Sequence, residues 1–193
     1  MDRSSTLIPF LLVVSLLITT QSFAGPVSAD RMSVYFSREN GKLEEMLVSL
    51  YGDVQKGGYI WIVTSSLTHP ALANALVEAK RRGVDVRLIS DSGRLGTKRD
   101  EIAMYNLKAK GIPIKVNRVP GALRLEASIV DDRYVVVGSY DYGSTETRTP
   151  LGIRVDEENL LVIPAGVDKP ILQQYKGAFQ RMWNDQKSYK ALE

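Results

Sequence analysis

The stretch LRLEASIVDDRYVVVGSYDYGS, residues 123–144, decides the fold. ASIV and YVVVG are short runs rich in β-branched residues, and Asp131-Asp132-Arg133 stands between them as a turn. The stretch therefore predicts a hairpin of two strands that ends at Gly138-Ser139. Polar side chains crowd around it: Arg124, Glu126, Asp131, Ser139 and Asp141, with Glu158-Asn159 standing before a further apolar run, NLLVIP at 159–164.

Working outward, strand and helix signals alternate. MSVYF (32–36) predicts a short strand, and 42–55 a helix with Leu43, Met46, Leu47 and Leu50 on one face. YIWIVTS (59–65) is apolar enough for the centre of a sheet. The next helix has Thr68 as its expected N-cap, Pro70 in its first turn and Gly83 as its stop. VDVRLIS (84–90) is a third strand, and the glycine-flanked loop DSGRLGTKRD leads to a helix ending near Lys110 and Gly111. IPIKV (112–116) follows as a strand, and residues 168–186 close the chain as an amphipathic helix carrying Leu172, Tyr175, Phe179 and Trp183. The order is βαβαβα, then a strand, the hairpin, another strand and a helix. Right-handed crossovers make the early strands parallel, so the expected class is α/β, one domain with a mixed β-sheet flanked by helices on both faces.

The chain has 193 residues, 44% of them hydrophobic, and a net charge of +3. That suits one domain over residues 30–193 and neither demands nor excludes an anionic partner. The first 24 residues read differently. An apolar run, LIPFLLVVSLLI at 7–18, precedes small residues at the −3 and −1 places of two possible cuts, Ser22 and Ala24 or Val27 and Ala29. This is the layout of a secretory signal peptide, and the expected location is periplasmic or secreted. An uncleaved membrane anchor is the alternative, since Pro9 interrupts the run and Asp2 offsets Arg3.

There are no cysteines and a single histidine, His69. Disulfides and thiolate metal sites are excluded, and no cofactor is expected. His69 opens a helix after the second strand. Its bland reading is a helix-start residue; the sharper one is a nucleophile or base, because strand C-terminal ends line the pocket in open α/β sheets.

The hairpin stretch resembles the catalytic motif of the phospholipase D superfamily, in particular its small bacterial nucleases with a signal peptide and one motif. That motif runs H-x-K, four residues, D, six residues, G-S-x-N. Asp131 falls on the D, and Gly138-Ser139 follow at the family spacing. Glu158-Asn159 matches a later Glu-Asn, and ALVEAKRRGVDVRLI (75–89) and the WND at Trp183 are similar as well. The resemblance implies the phospholipase D-like fold and a homodimer, because two motifs meet at one pocket. It also implies a histidine that attacks phosphorus and a lysine and asparagine that hold phosphate oxygens. Here the histidine place is Arg124, the lysine place Glu126 and the asparagine place Asp141.

A guanidinium stays protonated and has no lone pair, so Arg124 cannot attack, though it can hold a phosphate bidentately. Glu126 puts a carboxylate where a phosphate oxygen belongs, and like charges a few ångströms apart cost on the order of a few kcal/mol at an effective dielectric near 20. No confident catalytic residue follows. Two apart on an expected strand, Arg124 and Glu126 should share a face and are candidates for a salt bridge. Doubled across a dimer axis, Glu126, Asp131, Asp141 and Glu158 are a less favoured set of oxygen ligands for a hard cation.

The basic clusters Lys80-Arg81-Arg82 and Lys108, Lys110, Lys115, Arg118 and Arg124 read either as solvated surface or as a track for phosphates. The leading expectation is an exported, non-catalytic binding or interaction module with a degenerate motif. The alternatives are a divergent phosphodiesterase, an endonuclease or phospholipase D acting on nucleic acid or phospholipid, and a structural dimer unit that partners an envelope protein.

Overall fold

Ile60 and Ile62 point to one side of their strand, Trp61 and Val63 to the other, and all four are buried. A strand buried on both faces needs a layer of structure above and below it. The computed structural model describes residues 27–38, 43–143, 146–149 and 152–193 and supplies both layers. The expected signal peptide, residues 1–24, lies outside the described residues. Among those described, no helix is long and apolar enough to cross a membrane.

The strands are β1 (Ser33–Phe36), β2 (Tyr59–Thr64), β3 (Asp85–Ser90), β4 (Ile114–Asn117), β5 (Ala127–Val130), β6 (Tyr134–Gly138), β7 (Glu146–Thr149), β8 (Gly152–Val155), β9 (Asn159–Pro164) and β10 (Tyr189–Ala191). The helices are α1 (Leu43–Gly52), α2 (Pro70–Arg81), α3 (Lys98–Ala109) and α4 (Lys169–Asn184). Eight strands form one mixed sheet in the order β1-β9-β6-β5-β2-β3-β4-β10, and β7 and β8 form a separate ribbon. The mixed sheet with helices on both faces is the expected fold.

Parallel pairing holds for β2-β3 and β3-β4, joined through α2 and α3. β1 shares their direction but pairs antiparallel with β9 at the sheet edge, four places from β2. Leu47, Leu72, Leu76, Met104 and Leu107 of α1 to α3 pack on Ile60, Ile62 and Val86 on one face. Phe179 of α4 packs on Trp61, Val63 and Ile129 on the other. Trp61, Phe179 and Trp183 stack there with Arg87 over both indoles, so WND at the end of α4 is a packing element.

Three local expectations are corrected. The N-cap of α2 is His69, not Thr68, and it makes no side-chain cap bond. The main-chain amides of both residues donate instead to the Tyr142 carbonyl, which fixes where the helix starts. β5 begins only at Ala127, so Arg124 and Glu126 lie on an irregular segment rather than on a strand. The ribbon β7-β8 and the short β10 have no counterpart among the elements the sequence predicts.

Candidate functional site

The ends of β2, β3 and β6 and the starts of β5 and β9 meet at one edge of the sheet, and a cleft of about 450 Å3 opens there. Arg124, Glu126, Ser139, Asp141 and Glu158 all line it, joined by Ser65, Asp91 and Arg94. The hairpin register produces this convergence. Val130 pairs with Tyr134 at the turn and Ala127 with Val137 at the open end, which brings Glu126 and Gly138 to the same edge. Gly138 is required there, because a Cβ would collide with the Asn159 carbonyl oxygen. That close approach lets Ser139 dock on Glu158-Asn159. The Ser139 hydroxyl donates to Glu158 Oε2 and accepts the Asn159 amide at 3.1 Å.

Arg124 and Glu126 do not form the expected salt bridge. Their segment lies outside the sheet ladder, and it leaves Arg124 exposed while Glu126 turns inward to 8% exposure. Glu126 Oε1 and Oε2 accept the Ser65 amide at 3.0 and 3.2 Å. Burial pushes its carboxyl up to about 7; the hydrogen bonds from Thr64 and Ser65 oppose the rise and the Asp141 charge adds to it. Glu158 is also raised, by burial first and then by Asp141 and Asp156, against the Ser139 bond.

Asp141 accepts the Gly143 amide at 3.0 Å, and Arg94 stands 3.7 Å from its other oxygen. Asp91 accepts the amides of Gly93 at 2.9 Å and Leu123 at 3.1 Å, so it anchors the segment that carries Arg124. Ser65, Asp91 and Arg94 escaped sequence reading. Ser65 and Asp91 directly follow β2 and β3, and the rule that open α/β sheets bind at strand C-terminal ends was the signal for them.

Two named candidates stand apart. Asp131 lies at the opposite end of the hairpin, at φ 51°, in the left-handed region that Asp tolerates. Its carboxylate accepts the Tyr59 amide at 2.7 Å and its own amide donates to the Tyr59 carbonyl at 2.9 Å. It is a turn anchor. His69 does not line the cleft; its Nε2 lies 3.7 Å from Glu44 Oε1 and its buried Nδ1 has no partner among the described residues.

With Asp131 remote, the proposed oxygen-ligand set loses a member, and among the described residues no group of three acids or histidines is placed to hold a metal ion. The basic clusters also separate. Arg82 donates to the Tyr51 carbonyl at 2.8 Å, Arg81 pairs with Glu78 at 2.9 Å and Lys115 packs over Trp183.

Chemically, the cleft sets four carboxylates, Asp91, Glu126, Asp141 and Glu158, against two guanidinium groups, Arg94 and Arg124. Among the described residues that line it, none carries an imidazole, thiol or amine. The arrangement can bind and orient charged groups, but it offers no nitrogen or sulfur nucleophile.

A family model described as "Cardiolipin synthase, PLD-like domain" matches residues 55–183. The chain is 27% identical over 116 residues to a mitochondrial cardiolipin hydrolase of Xenopus tropicalis, covering 60% of this chain and 50% of the relative. It is 25% identical over 104 residues to a phospholipase D of Rickettsia conorii, covering 54% and 48%. The chain thus spans about half the length of these curated relatives. Among solved structures, Nuc of Salmonella typhimurium, a phospholipase D family member, superposes with a TM-score of 0.69 at 24% identity, covering 84% of this chain and 98% of that one. NucT of Helicobacter pylori gives 0.62 at 19% identity, with 79% and 95% covered. At these identities the two structures establish the shared fold.

Proposed function

The chain belongs to the phospholipase D-like family, and from that premise we propose that it is an exported, non-catalytic member whose cleft binds rather than cleaves. The observation that carries this reading is Glu126. The place where the family pattern puts a phosphate-holding lysine is taken by a buried carboxylate bonded to the Ser65 amide, beside a histidine place occupied by Arg124.

Loss of a covalent nucleophile removes a reaction path, whereas loss of general acid–base help alone costs about 10²–10⁴-fold. Arg124 is exposed and free to meet an anionic group, while Glu126, Asp141 and Glu158 disfavour a phosphodiester in the cleft centre.

In this reading the exported form is a homodimer, with a two-fold axis beside the Arg124 segment that brings two clefts together. Its partner is an envelope protein, a nucleic acid or a phospholipid surface. The test is an assay of the purified protein against a chromogenic phosphodiester, DNA and phospholipid, with and without divalent cations. The expected result is no turnover. Robust cleavage that survives Arg124→Ala would sink the proposal and direct attention to His69.

A further inference from the structure

A second concavity, a groove of about 710 Å3, lies between α2 and α3 and shares no lining residue with the cleft. Ala73 and Val77 of α2 form one wall. The other follows Arg99, Ile102, Ala103 and Asn106 at i, i+3, i+4 and i+7 along α3, with Lys110 at the helix C-cap beyond them.

α3 is apolar on two sides. Met104 and Leu107 are buried toward the sheet, whereas Ile102 is 51% exposed. The two helices follow successive parallel strands and run in the same direction, with the groove between them. Side-chain stripes at this spacing on neighbouring helices are the surface into which a third helix packs.

Charge selects the occupant. Arg99 and Lys110 stand eleven residues apart, about 16 Å along α3 at 1.5 Å per residue. No carboxylate lines the groove, and neither cation has an ion pair or side-chain hydrogen bond among the described residues. We propose that the groove seats an amphipathic helix of a partner protein, with an apolar stripe between two acidic residues about three turns apart. A helix with acids at both ends meets both cations while its apolar side chains cover Ile102, Ala103 and Val77.

The probe is a fluorescein-labelled helical peptide of about eighteen residues, with Leu at i, i+3, i+4 and i+7 and Glu at two places eleven apart, and a twin with Lys for both Glu. Titrated with the purified chain and read by fluorescence anisotropy, the Glu peptide should saturate and the Lys twin should bind about fivefold more weakly, since exposed ion pairs contribute modestly. Ile102→Glu should weaken the Glu peptide about tenfold or more, because it puts a charge at the centre of the apolar contact. Arg99→Glu with Lys110→Glu should reverse the preference toward the Lys twin. All three residues are exposed, and circular dichroism checks that the variants fold. Equal binding of the twins, no saturable binding, or indifference to Ile102→Glu would overturn the proposal. So would phosphatidylglycerol vesicles that bind through Ile102 and displace the peptide, which would give the groove to a lipid surface.

Discussion

Glu126 is held by the main chain of Ser65, with both carboxylate oxygens within 3.2 Å of its amide, and not by Arg124 two residues away. The acid therefore closes the end of β2 from inside the cleft, while the guanidinium faces solvent. A buried carboxyl bonded to neutral donors is expensive to ionise, and that has a measurable consequence.

Glu126 has a folded pKa near 7 against an ordinary value of 4.5, so the folded protein binds more protons between those limits. Its contribution to stability is full below about 4.5, declines as pH rises toward about 7 and is flat above. Glu126→Gln keeps an acceptor for Ser65 and removes this slope. Urea unfolding should show the variant gaining on the wild type between about pH 4 and pH 8, by on the order of 3 kcal/mol. A constant difference between the two proteins across that window would contradict the burial argument.

Asp131 keeps the family's spacing but works at the far end of the hairpin, on the Tyr59 amide. Asp131→Ala should cost about 1–3 kcal/mol in chemical denaturation by leaving that amide unpaired. Gly58→Ala should cost a similar amount, because its Cβ would collide with Asp131 Oδ1 and stand 2.8 Å from Val54 Cγ1. Neither change should alter ligand binding in the cleft. A binding defect in a stably folded Asp131→Ala protein would return this residue to the site.

The hairpin and the alternation of apolar strands with helices were legible in sequence because burial on two faces leaves unbroken apolar runs such as YIWIV, and β9 matches its predicted span, 159–164. What the sequence hid has local causes. β10 has three residues and is held by pairing with β4, a tertiary effect with no periodicity of its own. Two-residue spacing on an assumed strand placed Arg124 and Glu126 on one face, but the ladder starts at Ala127 and the preceding segment is set by Asp91 on the Leu123 amide. The cleft was half legible: the motif residues other than Asp131 line one cleft, whereas Arg94 opens a single 3-10 turn after β3 whose path only the folded chain defines.

Export has a simple readout. Mass spectrometry of the protein recovered from the periplasm or medium should find a first residue near Gly25 or Asp30. Intact residues 1–18 in a membrane fraction would replace the signal peptide with an anchor.

Assembly is testable by light scattering. A two-fold dimer beside the Arg124 segment should give about twice the protomer mass at micromolar concentration and weaken with Arg124→Glu, which adds a carboxylate to the Asp91, Glu126, Asp141 and Glu158 already lining each of the two clefts that meet there. A monomer unchanged by dilution or salt would count against it.

Rebuilding the motif is the strongest test of the non-catalytic reading. Arg124→His, Glu126→Lys and Asp141→Asn together restore the family pattern on a frame where Ser139, Glu158 and Asn159 are already joined. The triple variant supplies a nitrogen nucleophile, puts an ammonium at the phosphate-holding place and removes two of the four cleft carboxylates, so phosphodiesterase turnover should appear where the wild type has none. The change has a structural cost. Glu126→Lys puts an ammonium group in a buried position and leaves the Ser65 amide without its acceptor, so the variant should unfold at lower denaturant than the wild type, by about 1–3 kcal/mol. Activity and stability should thus move in opposite directions. A folded, dimeric triple variant with no turnover would show that the family pattern at these three places is not what separates this chain from an enzyme.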